Sequence, residues 1–495
     1  MRLGELFGRA GLSYPPETES IEIKNIVTDS RAVSKGSLFI CLRGMTDDGH
    51  EYIDSAINAG ASVIVAEQLR GVCVGGAAAY IMHDNTRQVA ALLYNSRYGN
   101  PTEKLKIIGV TGTNGKTSVA AMLYEIFTAA GKRCGLIGTV CRLTADGRAI
   151  SRKKKNPLAN MTTPDPEELY DDLAKMVKDR VEYVFMEVSS HALALCKTDA
   201  IRFDSAVFTN LTRDHLDFHG SMEEYYNAKK KLFTVCNQGF INTDGEFGKR
   251  LADECFCPFF TVSADRGDFC AIDIKSHGLG GSEYRLKYPE GYGEISLPLL
   301  GEFQVENSLM AAAVALSYGI PFDVISKTLA NIRGVKGRME RVDLHRADFS
   351  VIIDYAHTPD ALEKLMHAVR KLRPEGGNIT LVFGCGGERD REKRKEMAQI
   401  ASRLADFVII TSDNSRSEDP QQIFKDILKG IDKERPYALI ESRREAIESA
   451  VLTAKSRDIV VLAGKGHEKY EIDAKGKHPF DETKIVRSAA KTRCD

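Results

Sequence analysis

The chain has 495 residues, a length that suggests about three domains at roughly 100–200 residues each. Lys and Arg total 68 and Asp and Glu total 69, which leaves a net charge of −1 at neutral pH. Such a balance disfavours a non-specific nucleic-acid binder or a polybasic membrane binder. Hydrophobic residues make up 43% and charged residues 28%, which excludes general disorder.

Targeting signals and cysteine spacing also narrow the class of protein. No stretch approaches the roughly 18 continuous apolar residues of a membrane span, and the first residues lack the apolar core of a signal peptide. The eleven cysteines are scattered without zinc spacing, which is typical of reduced thiols. We therefore expect a soluble, cytoplasmic protein. We also expect it to act on small molecules, to bind no nucleic acid, not to insert into a membrane and to be a monomer.

The first two predicted domains differ in their strand patterns. Residues 1–98 contain short strand-like pieces, then a helix followed by a β-strand, and end before the loop residues Gly99, Asn100 and Pro101. Residues 99–333 begin with the buried strand LKIIGV and then alternate strand and helix patterns, which indicates a mostly parallel sheet. Within this domain, residues from about 260 to 300 favour antiparallel strands.

The third predicted domain covers residues 334–495 and contains four apolar strand candidates, of which the first three each precede a helical stretch. The sequence therefore predicts an α/β protein of three domains: a small α/β N-terminal domain, a central P-loop ATPase-like domain with a mostly parallel sheet, and a C-terminal Rossmann-like α/β domain.

A phosphate-binding loop is predicted where VTGTNGKTS follows a strand and precedes a helix. It is similar to the pattern G-x-x-x-x-G-K-[ST], with Val110 in place of the first glycine. The glycines allow backbone N–H groups to face phosphate oxygens, and the helix directs its positive end at the same point. The pattern predicts that ATP or GTP binds at Gly112, Thr113, Asn114, Gly115, Lys116, Thr117 and Ser118.

Polar residues follow two other predicted strands. Glu187 ends the strand in VFMEVSSHAL, and Asp214, His215, Asp217 and His219 follow the strand in VFTN. In open α/β sheets ligands gather outside the carboxyl ends of strands. These residues are therefore candidates for metal or substrate binding, although a strand-end Glu is often only a surface carboxylate.

Six motifs along the chain together resemble the Mur ligase family. In chain order they are TGTNGKT, EVSSHAL, TNLTRDHLDFHG, GEFQVENSLMAAAV, DYAHTPDAL and GKGHE. The resemblance covers nearly the whole chain and implies an ATP-dependent, amide-forming ligase of peptidoglycan precursor synthesis. Three segments of the first domain resemble the family member that adds the third residue of the stem peptide. They are TDSR, GSLFICLRG and DGHEYIDSAINAGA. That enzyme joins a diamino acid, meso-diaminopimelate or lysine, to UDP-N-acetylmuramoyl-L-alanyl-D-glutamate.

The resemblance assigns roles around the nucleotide. Lys229 matches a family lysine that is carbamylated to N6-carboxylysine, and a carbamate would give a hard cation oxygen ligands. Thr117 matches the ligand of a first Mg²⁺, while Glu187, His215 and Lys229 match ligands of a second. Lys116, Lys229 and His215 are thus the implied catalytic residues. Asn307, Arg338 and Asp354 match residues around the adenine, ribose and phosphates.

The resemblance also assigns a nucleotide-sugar site. Ser30 matches a uridine-site residue, and Thr162, Thr163 and Ser189 match contacts to the muramoyl peptide. Some relatives carry Gln and Arg where this chain has Leu195 and Lys197. Lys197 keeps the charge of the arginine but lacks its bidentate fork.

Three strand-end loops of the third domain are predicted to bind the incoming amino acid. They mix arginines with carboxylates, which suits a ligand with two ammonium and two carboxylate groups. The family motif for diaminopimelate is Asp-Asn-Pro-Arg, and the chain has Ser415 at the proline position. Arg416 would pair with the distal carboxylate that lysine lacks, so we expect diaminopimelate, with lysine as the alternative. The predicted residues are Arg389, Asp413, Asn414, Ser415, Arg416, Gly464 and Glu468.

Three rival functions are disfavoured, and the weakest is a non-enzymatic binding module, which leaves the polar residues after the strands unexplained. Folylpolyglutamate synthase shares the phosphate loop and the carbamylated lysine, but it gives no reason for TDSR and GSLFICLRG in the first domain. A GTPase switch would need an Asn-Lys-x-Asp motif, and none follows the phosphate loop.

Overall fold

The computed structural model describes residues 1–44, 47–68, 78–150, 162–344, 347–388 and 390–494. The chain divides into two compact units, Met1–Val262 and Ser263–Asp495. Arg389, one of the residues predicted to bind the amino acid, lies outside the described residues.

The first unit opens with a small α/β sheet. Its elements in chain order are α1 (Leu3–Ala10), β1 (Asn25–Val27), β2 (Ser37–Ile40), α2 (Ile53–Asn58), β3 (Ala61–Ala66), β4 (Ala79–Met82) and α3 (Thr86–Arg97). The four strands pair in parallel in the order β1-β2-β3-β4. All four residues of β2 are buried, as expected of a parallel strand covered on both faces.

The same unit contains the larger parallel sheet. Its elements are β5 (Lys106–Thr111), α4 (Lys116–Ala129), β6 (Cys134–Ile137), β7 (Arg142–Leu143), α5 (Pro166–Lys178), β8 (Tyr183–Glu187), α6 (Ser190–Ala194), β9 (Phe203–Phe208), α7 (Leu216–His219), α8 (Met222–Lys230), β10 (Cys236–Asn242), α9 (Glu246–Glu254) and β11 (Phe259–Ser263). The strand order is β11-β10-β9-β5-β8-β6-β7, and only β7 is antiparallel to its neighbour. β5 thus lies between β8 and β9, so the loops after these three strands meet at one edge.

The second unit begins with antiparallel strands and two helices. They are β12 (Phe269–Ser276), β13 (Ser282–Tyr288), β14 (Gly291–Leu297), α10 (Phe303–Ser317) and α11 (Phe322–Ala330). β13 pairs antiparallel with both β12 and β14, which confirms the antiparallel pattern predicted for about 260–300.

A six-stranded sheet forms the rest of the second unit. Its elements, with a hairpin and a final helix, are β15 (Glu340–Arg341), β16 (Ser350–Asp354), α12 (Pro359–Leu372), β17 (Ile379–Phe383), α13 (Glu392–Leu404), β18 (Phe407–Ile410), α14 (Pro420–Leu428), β19 (Tyr437–Leu439), α15 (Arg443–Thr453), β20 (Ile459–Ala463), β21 (Tyr470–Asp473), β22 (Gly476–Pro479) and α16 (Glu482–Cys494). The order is β15-β16-β20-β17-β18-β19, parallel except for β15. Apolar cores cover both faces of this sheet, so the predicted α/β fold class is confirmed.

The strand order of the six-stranded sheet positions its loops. β20 lies between β16 and β17, although it comes last of the three in the chain. The loops after β16, β17, β18 and β20 therefore lie along one edge. Among the helices of the described ranges, none has the length and apolarity that crossing a bilayer requires.

Candidate functional site

The phosphate loop connects β5 to α4 and has a backbone that only glycine fits. Gly112 has φ 146°, and a Cβ there would lie 1.9 Å from Thr209 Oγ1. The Lys116 ammonium donates to the carbonyl oxygens of Gly112, at 2.9 Å, and Thr113, at 2.8 Å. Val110 lies within β5 and is fully buried, so the departure from the glycine pattern falls in the strand and leaves the loop itself intact.

Residues after β9 brace this loop. Asn114 donates its backbone N–H to Asn210 Oδ1 at 3.0 Å, and Thr209 Oγ1 donates to Asn114 O at 2.5 Å. Thr113 Oγ1 lies 3.1 Å from the Tyr225 hydroxyl. Sequence reasoning missed Thr209 and Asn210 as loop partners, although both belong to the quoted motif TNLTRDHLDFHG. The remaining predicted residues are at the start of α4, where Gly115 has φ 85° and Ser118 is half-buried.

Glu187 is a buried carboxylate held by three donors. It is 2% exposed and accepts from Thr117 Oγ1 at 2.8 Å, from Thr139 N at 2.8 Å and from Thr139 Oγ1 at 3.1 Å. A Cβ at Gly138 would lie 2.3 Å from Glu187 Oε1, so the backbone after β6 cradles the carboxylate. The structure thus brings the predicted metal ligands Thr117 and Glu187 together. Thr139 was missed, although its place after the strand CGLI was a signal.

Lys229 lies in α8 and is 1% exposed. Its ammonium donates to Gly112 O at 2.8 Å and lies 4.6 Å from the Tyr225 ring centre. Burial, and then the nearby Lys116 ammonium, lower the pKa of Lys229 well below its ordinary value. Lys116 and Lys229 therefore share one carbonyl acceptor, which is a costly arrangement for two cations.

His215 lies beside this centre with a left-handed backbone, φ 52°. Its Nε2 is 3.6 Å from Asp214 Oδ2, and its ring centre is 4.9 Å from that of His191. Burial first lowers the pKa of His215, and the charges of Lys116 and Lys229 lower it further. In the described part of the chain, no three His, Cys, Asp or Glu side chains form a preformed metal cluster. The predicted metal ligands include only two residues of these four types, Glu187 and His215, so they would not form such a cluster.

Three residues predicted for the muramoyl peptide adjoin Glu187. Thr163 Oγ1 donates to Glu187 O at 2.9 Å and accepts from Ser189 N at 3.0 Å. The hydroxyl oxygens of Thr162 and Thr139 lie 3.1 Å apart. Thr163 is therefore bonded directly to Glu187, whereas Ser189 is linked to it through Thr163 and Thr162 through Thr139.

Two other predicted residues have different contacts from that group. Lys197 pairs with Asp165 at 2.8 Å, with its side chain 6% exposed. Ser30 begins a short 3₁₀ turn after β1. In the described ranges no hydrogen bond joins Ser30 to Thr162, Thr163 or Ser189.

The second unit holds three residues predicted around the nucleotide. Asn307 is buried in α10 and donates to Gln304 at 3.1 Å. Asp354 ends β16 and accepts from the backbone N–H groups of Met339, at 2.7 Å, and Ala356, at 2.8 Å, while burial raises its pKa. The Arg338 guanidinium lies 4.9 Å from the Tyr355 ring centre, and its buried Nε has no hydrogen-bond partner in the described structure.

The loops after β18 and β20 meet around Asn414, as predicted. Asn414 Oδ1 accepts from the buried Lys465 Nζ at 3.0 Å, and its amide nitrogen donates to Glu468 at 2.9 Å. Burial opposes ionisation of Asp413, but Lys465 and Arg443 outweigh it and lower the pKa of Asp413. A Cβ at Gly464 would lie 2.7 Å from Asp413 Oδ2. Sequence reasoning missed Lys465, although it lies within the quoted GKGHE.

Arg416 is half-buried and has the left-handed backbone φ of 55°. Its Nη1 donates to Gly387 O at 2.7 Å and lies 3.4 Å from Asn414 O. Within the described residues, Nε and Nη2 of Arg416 donate to no protein atom. Ser415 is buried, and its carbonyl oxygen would lie 1.9 Å from a Cβ at Gly387. Asn414 therefore links the loop that carries Arg416 to Lys465 and Glu468.

A phosphate loop beside a buried carboxylate, together with a mixed-charge site at the edge of a separate sheet, defines a nucleotide-dependent α/β enzyme. Three family models match the chain: the Mur ligase family catalytic domain at residues 22–105, the Mur ligase middle domain at 110–315 and the Mur ligase glutamate ligase domain at 337–466. The chain belongs to the Mur ligase family and has its three-domain α/β fold. The predictions of family and of ligase class are confirmed.

Two relatives share nearly the full length. A UDP-N-acetylmuramoyl-L-alanyl-D-glutamate--2,6-diaminopimelate ligase of Clostridioides difficile (strain 630) is 43% identical over 475 residues, covering 94% of this chain and 95% of the relative. A solved structure of an enzyme with the same name has a TM-score of 0.70 and 30% identity, covering 100% of this chain and 99% of that one.

The folylpolyglutamate synthase rival shares the fold. The structure of that enzyme from Mycobacterium tuberculosis, complexed with ADP and AMPPCP, has a TM-score of 0.60 at 20% identity, covering 83% of this chain and 94% of that one. At this identity the similarity concerns the fold alone.

Proposed function

We propose that this ligase adds meso-2,6-diaminopimelate to the D-glutamate of UDP-N-acetylmuramoyl-L-alanyl-D-glutamate, with ATP as the energy source. The observation that carries the proposal is the loop around Asn414, which is bonded to Glu468 and Lys465 and also carries Asp413 and Arg416. Among the described residues, Nε and Nη2 of Arg416 have no acceptor. Two carboxylates and a cation match the two ammonium groups and the distal carboxylate of diaminopimelate. The names of the nearly full-length relatives agree with this substrate.

In the proposed reaction, the D-glutamate carboxylate attacks the γ-phosphorus of ATP, giving an acyl phosphate and ADP. The amine then attacks the acyl carbon, and the tetrahedral intermediate collapses to amide and phosphate with loss of a proton. Lys116 would stabilise the transferred phosphoryl group, because its ammonium lies at the carbonyl oxygens of Gly112 and Thr113 within the phosphate loop. The ATP phosphates would be bound by the other residues of the phosphate loop: Gly112, Thr113, Asn114, Gly115, Thr117 and Ser118. The rest of the nucleotide would be bound by Asn307, Arg338 and Asp354.

Mg²⁺ would supply charge neutralisation for the phosphates. Thr117 is proposed as a ligand of one ion and Glu187, His215 and Lys229 as ligands of another. The residues fit this role because Glu187 is buried, ionisable and already oriented by Thr117 and Thr139. Oxygen donors of this kind are those that Mg²⁺ prefers.

We propose that Lys229 is carbamylated. Its depressed pKa provides the neutral amine that adds to CO₂, forming an N–C bond and releasing one proton. The product carries a negative charge beside the Lys116 ammonium, so carbamylation creates an attractive pair of opposite charges. Burial would protect the carbamate from water.

The muramoyl peptide is proposed to bind at Thr162, Thr163 and Ser189, next to Glu187, with Lys197 and Ser30 contacting the nucleotide-sugar. The amine site is proposed to comprise Arg389, Asp413, Asn414, Ser415, Arg416, Gly464 and Glu468. We further propose domain boundaries at 98/99 and 333/334, a monomeric state and a cytoplasmic location, where ATP and nucleotide-sugars are available.

Phosphate release tests the proposal. Purified protein is given ATP, Mg²⁺ and the nucleotide dipeptide, with either meso-diaminopimelate or lysine. We expect release with diaminopimelate and little with lysine, because lysine leaves the Arg416 donors unpaired. Turnover with lysine only would instead support the lysine-adding alternative.

A further inference from the structure

A fully buried arginine in α13 connects the two loops that surround Arg416. Arg394 is 0% exposed and donates through Nη1 and Nη2 to the two carboxylate oxygens of Glu418, both at 2.8 Å. It also donates to Asp426 of α14 at 3.1 Å and to Gly386 O at 3.3 Å. One guanidinium therefore fixes a residue after β17, a residue after β18 and a helix.

The two loops interlock through their backbones as well. Gly387 donates its N–H to Asn414 O at 3.0 Å, and Glu388 donates its N–H to Glu418 Oε2 at 2.9 Å. The close approach of Ser415 O to Gly387 leaves no room for a side chain there. Glu418 is thus the point at which Arg394 and the loop after β17 both attach to the segment that carries Arg416.

This attachment matters because Arg416 has an unfavourable backbone. A non-glycine residue with φ near +55° persists only where its surroundings hold it. Arg416 lies two residues before Glu418, and its Nη1 bond to Gly387 O depends on the distance between the two loops. Loosening Glu418 would therefore change the direction of the remaining Arg416 donors.

We propose that the Arg394–Glu418 ion pair positions Arg416 for the second carboxylate of the incoming amino acid, and so sets selectivity for a dicarboxylic diamino acid. Neither residue of the pair contacts the substrate, and both act through Arg416. The inference rests on the function proposed above.

The test compares three variants of the full-length protein. Glu418→Gln removes the charge that joins the loops, while Asp426 still pairs with Arg394 and supports folding. Asp426→Asn is the matched control, because it removes a carboxylate from the same guanidinium and leaves the link between the loops. Arg394→Lys keeps a buried cation but loses the bidentate pair. Steady-state KM for diaminopimelate, ATP and the nucleotide dipeptide is measured with Tm for each.

We expect Glu418→Gln and Arg394→Lys to raise KM for diaminopimelate about tenfold or more, since a displacement of about 1 Å can cost up to ~100-fold. KM for ATP and for the nucleotide dipeptide should stay within about twofold, and Asp426→Asn should keep all three KM values within about twofold. An unchanged KM for diaminopimelate in Glu418→Gln, or in Arg394→Lys if Glu418→Gln does not fold, would overturn the proposal. An equal rise in Asp426→Asn would also overturn it. Failure of the wild-type protein to use diaminopimelate would instead refute the proposed function.

Discussion

Burial distinguishes Lys229 from its neighbours in the run Lys229–Lys231. Lys231 is exposed and Lys230 pairs with Glu254 at 2.7 Å, whereas Lys229 points at the phosphate loop with almost no exposure. Desolvation and Lys116 favour its neutral form, and the neutral form is the one that reacts with CO₂. A run of three lysines in sequence therefore contains three different chemical environments.

Replacing Lys229 by Ala should lower the rate of phosphate release by about 100-fold or more, because a ligand of the proposed metal is lost. A short carboxylate such as acetate should restore part of the rate by occupying the space of the carbamate. Lys231→Ala is the matched control and should keep the wild-type rate. Full activity of Lys229→Ala without added carboxylate would refute the carbamate.

Thr139 orients Glu187 through two hydrogen bonds. Thr139→Val retains the shape and the backbone N–H but removes the hydroxyl bonds to Glu187 and Thr162. We expect the Mg²⁺ concentration for half-maximal rate to rise about tenfold, since residues that orient metal ligands typically contribute this much. Thr139→Ser keeps the hydroxyl and should stay near the wild type; an unchanged Mg²⁺ requirement in Thr139→Val would argue against Glu187 as a ligand.

At the scale of elements, the position of the site follows from strand order. β5 lies between β8 and β9, which brings the phosphate loop, Glu187 and the Thr209–Asn210 segment to one edge. The sequence predicts the strands and the polar residues that follow them, since both are local patterns. It does not predict which strands are neighbours, and for this reason Thr139, Thr209 and Asn210 were missed as partners.

The phosphate loop gives an element-scale prediction. Gly112→Ala places a Cβ against Thr209 Oγ1 at a φ that side chains rarely adopt. The loop must shift, and we expect KM for ATP to rise about tenfold or more, because its N–H groups leave the phosphates. Gly8→Ala in α1 is the control, since a Cβ there meets nothing within 4 Å, and it should leave KM for ATP unchanged. Equal KM values for both variants would contradict the geometry of the loop.

The proposed amine site also combines residues that the sequence predicts with residues that it does not. The positions of strand ends predict Asp413, Asn414, Arg416, Gly464 and Glu468, and the described structure brings their loops together. Lys465 was missed because its neighbours in sequence do not show that its side chain turns inward to Asn414. The Arg394–Glu418 pair is equally invisible in the sequence, since its members are 24 residues apart in an unremarkable charged helix and loop.

At the scale of the whole molecule, the near-zero net charge conceals a local separation of charges. Lys116 and Lys229 lie at the phosphate loop, and Asp413, Arg416 and Glu468 belong to the proposed amine site. Composition correctly gives a globular protein of several domains, but it cannot indicate that the proposed substrates are themselves highly charged. The assignment of substrates depends on named side chains in each unit rather than on overall charge.

One measurement tests the central claim most directly. Phosphate release and the mass of the nucleotide product are followed with ATP, Mg²⁺, the nucleotide dipeptide and meso-diaminopimelate, each omitted in turn. The account predicts one phosphate per amide formed, a nucleotide product heavier by one diaminopimelate residue, and no product when any component is missing. Phosphate release without a heavier product, or no release with diaminopimelate, would contradict it.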